Sequence, residues 1–363
     1  MNTSLASKVP AQEAHPHLTR GHWLWRSTSW RWSLLIEKRS VQVNTALTLI
    51  LLACALSSLA FGTLSIAIPD VILALQGKGT AMHTFVIEEL RGPRLLAGAL
   101  AGASFALAGC LMQTLARNRL ATPGIIGIDN AATAFAVASV VGVGISAAPH
   151  TMALVGAAVA TALAFGLAGA TGTRGYRFII AGLAIGAVSG AITQVMLSSV
   201  ALDDANAAYP WTVGSLNARA PAAVNALIIG LIVGYTLSLF LNRALATLQL
   251  PEPVTASLGT RSGRVRVAGL ILSVLLTGLA VSVAGPVGLI ALLGPELART
   301  ISRPGSIPLT ASALSGAILM VLSDLAGRLV FSPLEIPVGI VTALAGSPYL
   351  LWILLHKSPD INR

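Results

Sequence analysis

Apolar residues fall in long blocks, broken by glycine, proline and charge, rather than alternating with polar ones. The blocks cover about 42–62, 95–115, 124–146, 151–171, 178–200, 222–242, 267–286, 287–298, 308–328 and 337–356. A helix needs about 20 apolar residues to cross the hydrocarbon core of a bilayer, so most of these runs predict spanning helices. The eighth is shorter and begins at Gly285-Pro286, which predicts a short or broken helix packed inside protein. The pattern therefore predicts an all-α polytopic membrane protein with about ten transmembrane helices. It divides into a polar segment 1–41, a transmembrane domain 42–357 and a polar end 358–363.

Composition removes the competing classes. Of 363 residues 55% are apolar and only 10% charged, against about 25% charged in an ordinary soluble domain. A chain this apolar does not stay dispersed in water, which excludes both a soluble globule and disorder. Cys54 and Cys110 fall inside apolar runs, where each reads as a small packing residue.

The charge is +10, from 23 Lys and Arg against 13 Asp and Glu. In a soluble chain that surplus would suggest a nucleic-acid partner; in a polytopic one its distribution decides orientation. With the N-terminus inside, 18 basic residues fall in cytoplasmic segments and five outside: Lys78, Arg91, Arg94, Arg219 and Arg328. That follows the positive-inside rule and predicts both termini in the cytoplasm, with membrane lipids and no nucleic acid as partners. Trp23, Trp25, Trp30 and Trp32 interleave with arginines in the cytoplasmic tail, which reads either as a segment lying on an anionic membrane surface or as a disordered one. Gly182, Gly186 and Gly190 recur every four residues, a face that lets another helix approach closely.

Chemistry inside the membrane is sparse. The six histidines lie in the tail, in outer loops or at a span end, and neither His-Glu-x-x-His nor a Walker A string occurs. No catalytic or metal-ligating residue is expected, no cofactor is bound by this chain, and ATP with magnesium would belong to a separate ATPase. Asp324 precedes Arg328 by four residues, the favourable order for a helical ion pair. Asp129, beside Asn130, reads either as a cap or as an intramembrane charge. An ion-coupled secondary carrier would place carboxylates near the midplane, and neither aspartate is there. Gln113 and Gln194 are polar positions inside spans that line a translocation path or tie helices together.

Several strings are more specific. Arg91-Gly92-Pro93-Arg94 opens the second run, which continues through Ala108-Gly109-Cys110-Leu111-Met112-Gln113 to Arg117-Asn118-Arg119-Leu120-Ala121. Later come Trp211-Thr212-Val213-Gly214-Ser215-Leu216, Ala256-Ser257-Leu258-Gly259, Ala284-Gly285-Pro286-Val287-Gly288-Leu289, Ser323-Asp324-Leu325-Ala326-Gly327-Arg328 and Glu335-Ile336-Pro337-Val338-Gly339. Over about 42–357 the chain resembles the permease family of ABC importers for iron-siderophore complexes, haem and vitamin B12. The resemblance implies a vitamin B12 importer permease-like protomer of ten helices in a bacterial inner membrane. It implies three kinds of partner: a second permease subunit, identical or paralogous, two cytoplasmic ATPase subunits, and a substrate-binding protein that delivers the cargo.

Residue by residue, the family's binding-protein docking arginines match Arg91, Arg94 and Arg328. Its ATPase coupling loop matches 252–266 with Glu252, Ala256, Ser257, Leu258, Gly259, Arg261 and Arg264, where Pro251 and Pro253 open a short helix and Gly259 is a natural C-cap. An iron complex is the commonest cargo of the family, with haem and vitamin B12 as alternatives. Two positions depart from the family strings: Arg119 stands where proline is common and Glu296 where histidine is common, and Glu296 is placed to meet Arg299 one turn on.

Overall fold

Small side chains place the second apolar run at the centre of the molecule. The computed structural model describes residues 21–26, 33–142, 147–168, 176–217, 220–330, 332 and 334–356. The rest of the tail, Arg174, Arg219 and the C-terminal end lie outside the described residues. Each apolar run holds a helix: α1 (Lys38–Ala60), α4 (Gly92–Ala116), α5 (Ile128–Val141), α6 (Pro149–Ala168), α7 (Tyr176–Ser198), α9 (Pro221–Thr247), α11 (Ser262–Ala284), α12 (Gly288–Ile301), α13 (Leu309–Leu329) and α14 (Val338–His356). Between them lie the short helices α2 (Ile68–Leu75), α3 (Ala81–Phe85), α8 (Leu202–Val213) and α10 (Glu252–Ser257). Among the described residues seven helices are long and apolar enough to cross a membrane, joined by the shorter apolar α5 and α14.

Helix α4 packs against α1, α9, α11, α12 and α13. In α4 and α11, 72% of the apolar stretch is buried, against 22% in α1 and α9. The first pair is the core, and the second presents its side chains to lipid or to another subunit. Glycine makes the central crossings possible. A Cβ at Gly109 would overlap the carbonyl of Ala291 on α12, and Gly102 and Gly316 stand carbonyl to Cα between α4 and α13. Without a hydrophobic effect between helices in lipid, such backbone approach is what gains van der Waals contact. The Gly182 and Gly186 face works in the same way inside the chain, receiving the turn at Ile125–Gly127 rather than a second copy.

Several details differ from expectation. The third run breaks at Gly127, with φ +76, into a 3-10 turn (Pro123–Ile126) and α5, so that helix has 14 residues rather than a full span. The eighth is short as expected, α12 following a break at Gly285, with φ +70. Helix α9 runs on to Thr247 and α11 starts at Ser262, which leaves the inner segment shorter than 243–266 and puts Arg264 and Arg266 on a helix. In the tail, β1 (His22–Arg26) and β2 (Ser33–Glu37) pair antiparallel with Trp23 opposite Ile36, and α1 begins at Lys38, ahead of position 42. This hairpin is the one element outside the all-helical expectation among the described residues; short extended runs carry too weak a periodic signal beside a strongly apolar helix.

Candidate functional site

Three of the recognised strings meet at one place. Gly214, with φ +78, closes α8; its amide oxygen accepts from Gly339 N at 3.2 Å, and Ser215 N donates to Ala284 O at 2.8 Å. A Cβ on Gly214 would reach 2.7 Å from Pro286 O, and one on Gly285 would reach 2.9 Å from Gly214 Cα. Only glycine lets these three backbones touch, and the contact fixes the start of α14 against the broken α11–α12 joint. Two grooves flank it along α14. One, about 600 Å³, is lined by Val213, Gly339, Ile340, Ala343, Leu344 and Ser347. The other, about 400 Å³, includes Thr122, Pro286, Gly288, Leu292, Gly339 and Thr342. Among the described residues no charged side chain lines either groove. Residues such as Thr342 and Ser347 escaped the sequence reading because a hydroxyl in an apolar run has no distinguishing pattern.

Asp129 lies at the edge of this region, its Oδ2 facing Gly124 and Gly288. It does not cap α5, whose N-cap is Gly127, and its buried Oδ1 has no hydrogen-bond partner. Asn130 instead ties helices together, donating to Gly186 O on α7 at 3.0 Å.

At the Arg94 end of α4, three arginines gather with two carboxylates. Arg94 contacts Asp324 Oδ1 through Nη2 at 2.9 Å and Glu335 Oε2 through Nη1 at 2.8 Å. Arg328 Nε lies 3.1 Å from Asp324 Oδ2, the i,i+4 pair expected from sequence, and its Nη2 donates to Ser58 Oγ at 2.7 Å. Arg91 gives Nη1 to Leu59 O at 2.6 Å and Ala60 O at 3.2 Å, and Nη2 to Leu64 O, so it closes the C-terminus of α1. Arg91 and Arg328 are buried, whereas the Arg94 side chain keeps 16% of its surface. Glu335 and Ser58 were not foreseen, because nothing local links them to arginines so far away in the chain.

At the opposite end, Arg117 stops α4 in the left-handed region, with φ +50. Its Nε and Nη2 donate to Leu248 O at 2.7 Å and Leu250 O at 2.6 Å, just before α10. Helix α10 starts after Pro251 and ends before Gly259, whose φ of +75 suits glycine. Thr255 is buried and donates to Thr247 O at 2.7 Å; Ser262 donates to Glu252 Oε1 at 3.3 Å. Ala256, Ser257, Arg261 and Arg264 are exposed, as are the apolar Val254 and Leu258. Gln113 is buried beneath this end, donating to Leu292 O at 3.4 Å and accepting from Arg299. Gln194 is exposed on α7, and neither glutamine lines the α14 grooves. Arg119 and Glu296, the two departures, meet at 3.6 Å, and Glu296 also reaches Arg299 at 3.8 Å.

Comparison with known proteins gives a consistent answer. The model of the FecCD transport family matches residues 49–356. The achromobactin transport system permease protein of Dickeya dadantii is 31% identical over 338 residues, covering 92% of this chain and 96% of that protein. The ferric enterobactin transport system permease protein of Escherichia coli is 32% identical over 298 residues (82% and 90%). The Fe(3+)-citrate import system permease protein of Bacillus subtilis is 33% identical over 326 residues (89% and 97%). A metal-chelate type ABC transporter solved in an inward-facing conformation superposes with a TM-score of 0.77, covering 87% of this chain and 100% of that one at 24% identity, a likeness of fold.

Proposed function

The chain belongs to the FecCD transport family, and on that premise we propose that it is the inner-membrane permease subunit of an ATP-driven importer for an iron(III)-siderophore complex. A binding protein hands over the cargo outside, and two ATPase subunits drive alternating access inside. The observation that carries this reading is α10: a short helix wedged by prolines, anchored to the end of α4 through Arg117, and exposing Val254 and, at its C-cap, Leu258 among the described residues. A loop obeying only charge rules would not be built this way. Exposed apolar side chains on an anchored element fit a cleft in a soluble partner.

With α10 inside, the Arg94 end faces out. Arg94, part-exposed beside Asp324 and Glu335, offers that face a guanidinium for an acidic lobe of a binding protein. Arg94 touches the partner, while Arg91 and Arg328 act from behind it. A second permease subunit, pairing along α14 and the Gln194 face of α7, closes the grooves into a path. Free lining without charge lets a bulky chelate move without a deep binding minimum. ATP must then supply the energy difference between the outward and inward states, since a cargo bound equally in both shifts neither.

The test is uptake of radioiron-labelled ferric siderophores into vesicles holding this chain with a candidate ATPase and binding protein. Uptake that requires ATP and both partners is expected. Uptake driven by an ion gradient without the ATPase overturns the proposal in favour of a secondary carrier, and uptake of haem or vitamin B12 alone overturns the cargo.

A further inference from the structure

A cavity of about 300 Å³ opens at the Arg117 end of α4, lined by Gln113, Arg117, Asn118, Arg119, Arg299 and Arg303. Four guanidinium groups converge there from three places in the chain: the loop after α4, the last turn of α12 and the turn that follows it. Two carboxylates answer them. Glu296 lies 3.6 Å from Arg119 and 3.8 Å from Arg299, and Glu37, at the base of the tail hairpin, lies 3.7 Å from Arg303. The walls therefore carry a surplus of two positive charges.

Their hydrogen-bonding capacity is equally lopsided. Arg117 uses Nε and Nη2 on the carbonyls of Leu248 and Leu250. Arg299 gives one donor to Gln113. Arg119 and Arg303 meet their carboxylates only at ion-pair distance, and their side chains remain 64% and 58% exposed. The surplus of like charge around one cavity repels unless something negative joins it. Planar guanidinium forks suit an oxyanion with several acceptor oxygens.

We propose that this cavity binds a phosphate-class anion, supplied either as the headgroup of an acidic phospholipid or as free phosphate. Its depth rests on the inside placement of α10 above, which sets the cavity at the level of the inner-leaflet headgroups. Basic pockets between helices on that side recognise acidic lipid. Bound there, the anion bridges the loop after α4 to the end of α12, next to the segment that anchors α10.

The experiment uses delipidated full-length protein in detergent, titrated with dioleoylphosphatidylglycerol, with dioleoylphosphatidylcholine or with inorganic phosphate. It is read by native mass spectrometry and thermal unfolding. The variants are the double substitution Arg119→Gln with Arg303→Gln, and Arg243→Gln as a cationic control on exposed α9 surface. The wild type and the control should retain one phosphatidylglycerol per chain at about tenfold higher occupancy than phosphatidylcholine, and the double variant should lose that preference while unfolding at the wild-type temperature in phosphatidylcholine. Protection by phosphate as strong as by phosphatidylglycerol, lost in the same variant, assigns the free ion as the source. Equal phosphatidylglycerol binding by all three proteins, or no binding of either probe above phosphatidylcholine, overturns the proposal and leaves the surplus charge to an acidic side chain of a partner protein. These readouts need neither ATP nor uptake, so the site and the transport reading fail separately.

Discussion

Arg119 Nη1 and Glu296 Oε1 stand 3.6 Å apart, joining the loop after α4 to the middle of α12. The resemblance marks both positions as departures from the family's strings, and in the fold they meet each other. The pair is lopsided, with Glu296 buried and the Arg119 side chain 64% exposed. Glu296→Ala should lower stability by about 1–3 kcal/mol, because it also strips Arg299 of its carboxylate. Arg119→Ala should cost less than about 1 kcal/mol, as an arm in solvent gains little from pairing. Thermal unfolding of the detergent-solubilised variants checks the order; equal losses would mean that Arg119 is held far more tightly than its exposure indicates.

Asp324 is the hinge of the opposite cluster, serving Arg94 and Arg328 with one oxygen each. Asp324→Ala leaves two guanidinium groups facing each other beside buried Arg91, and should destabilise by about 3–5 kcal/mol. Arg94→Ala should cost less, since Asp324 then keeps Arg328. Unfolding midpoints of the two variants decide, and a milder Asp324→Ala would mean that the arginines find other partners.

Gly109→Ala should cost about 1–3 kcal/mol or abolish expression, because a methyl group there drives α4 away from the Ala291 carbonyl. Gly166→Ala on α6, where nothing lies within 4 Å, should be neutral or stabilising by up to about 1 kcal/mol. Expression and thermal unfolding of the two variants, measured together, separate close packing from mere helix propensity.

Leu258→Asp should leave folding unchanged and reduce ATP-dependent uptake at least tenfold, because Leu258, the C-cap of α10, is 59% exposed. Co-purification of the ATPase reads the same contact directly. Retained co-purification with retained uptake would remove α10 as the coupling element.

Sequence patterning reached the helices and the joint at Gly285-Pro286, because helix formation and its interruption are local. It reached Asp324–Arg328 for the same reason, four residues apart on one helix. Arg94–Asp324 and Arg94–Glu335 depend on how α4 and α13 cross, and no string records a crossing. Arg91 illustrates the limit: its place in the family string marked it for the outer face, and the fold has it closing α1 from beneath that face. The grooves along α14 were not legible, since the small side chains and hydroxyls that line them have no distinguishing pattern in an apolar run.

The stretch Ala81–Ala116 is continuous, as the turn Val86–Arg91 enters α4 without a break. At about 1.5 Å per residue its 36 residues measure about 54 Å, well beyond the hydrocarbon thickness of about 30 Å. Arg94 lies about 20 Å in from the Ala81 end and Arg117 caps the other end, about 35 Å from Arg94 along the axis by the same rise. Tilting that part of the rod by about 10° about its middle would carry each of its ends about 3 Å, in opposite senses. A displacement at the Arg94 end and one at the Arg117 end are then two readings of a single rotation, with no relay of side chains required between them.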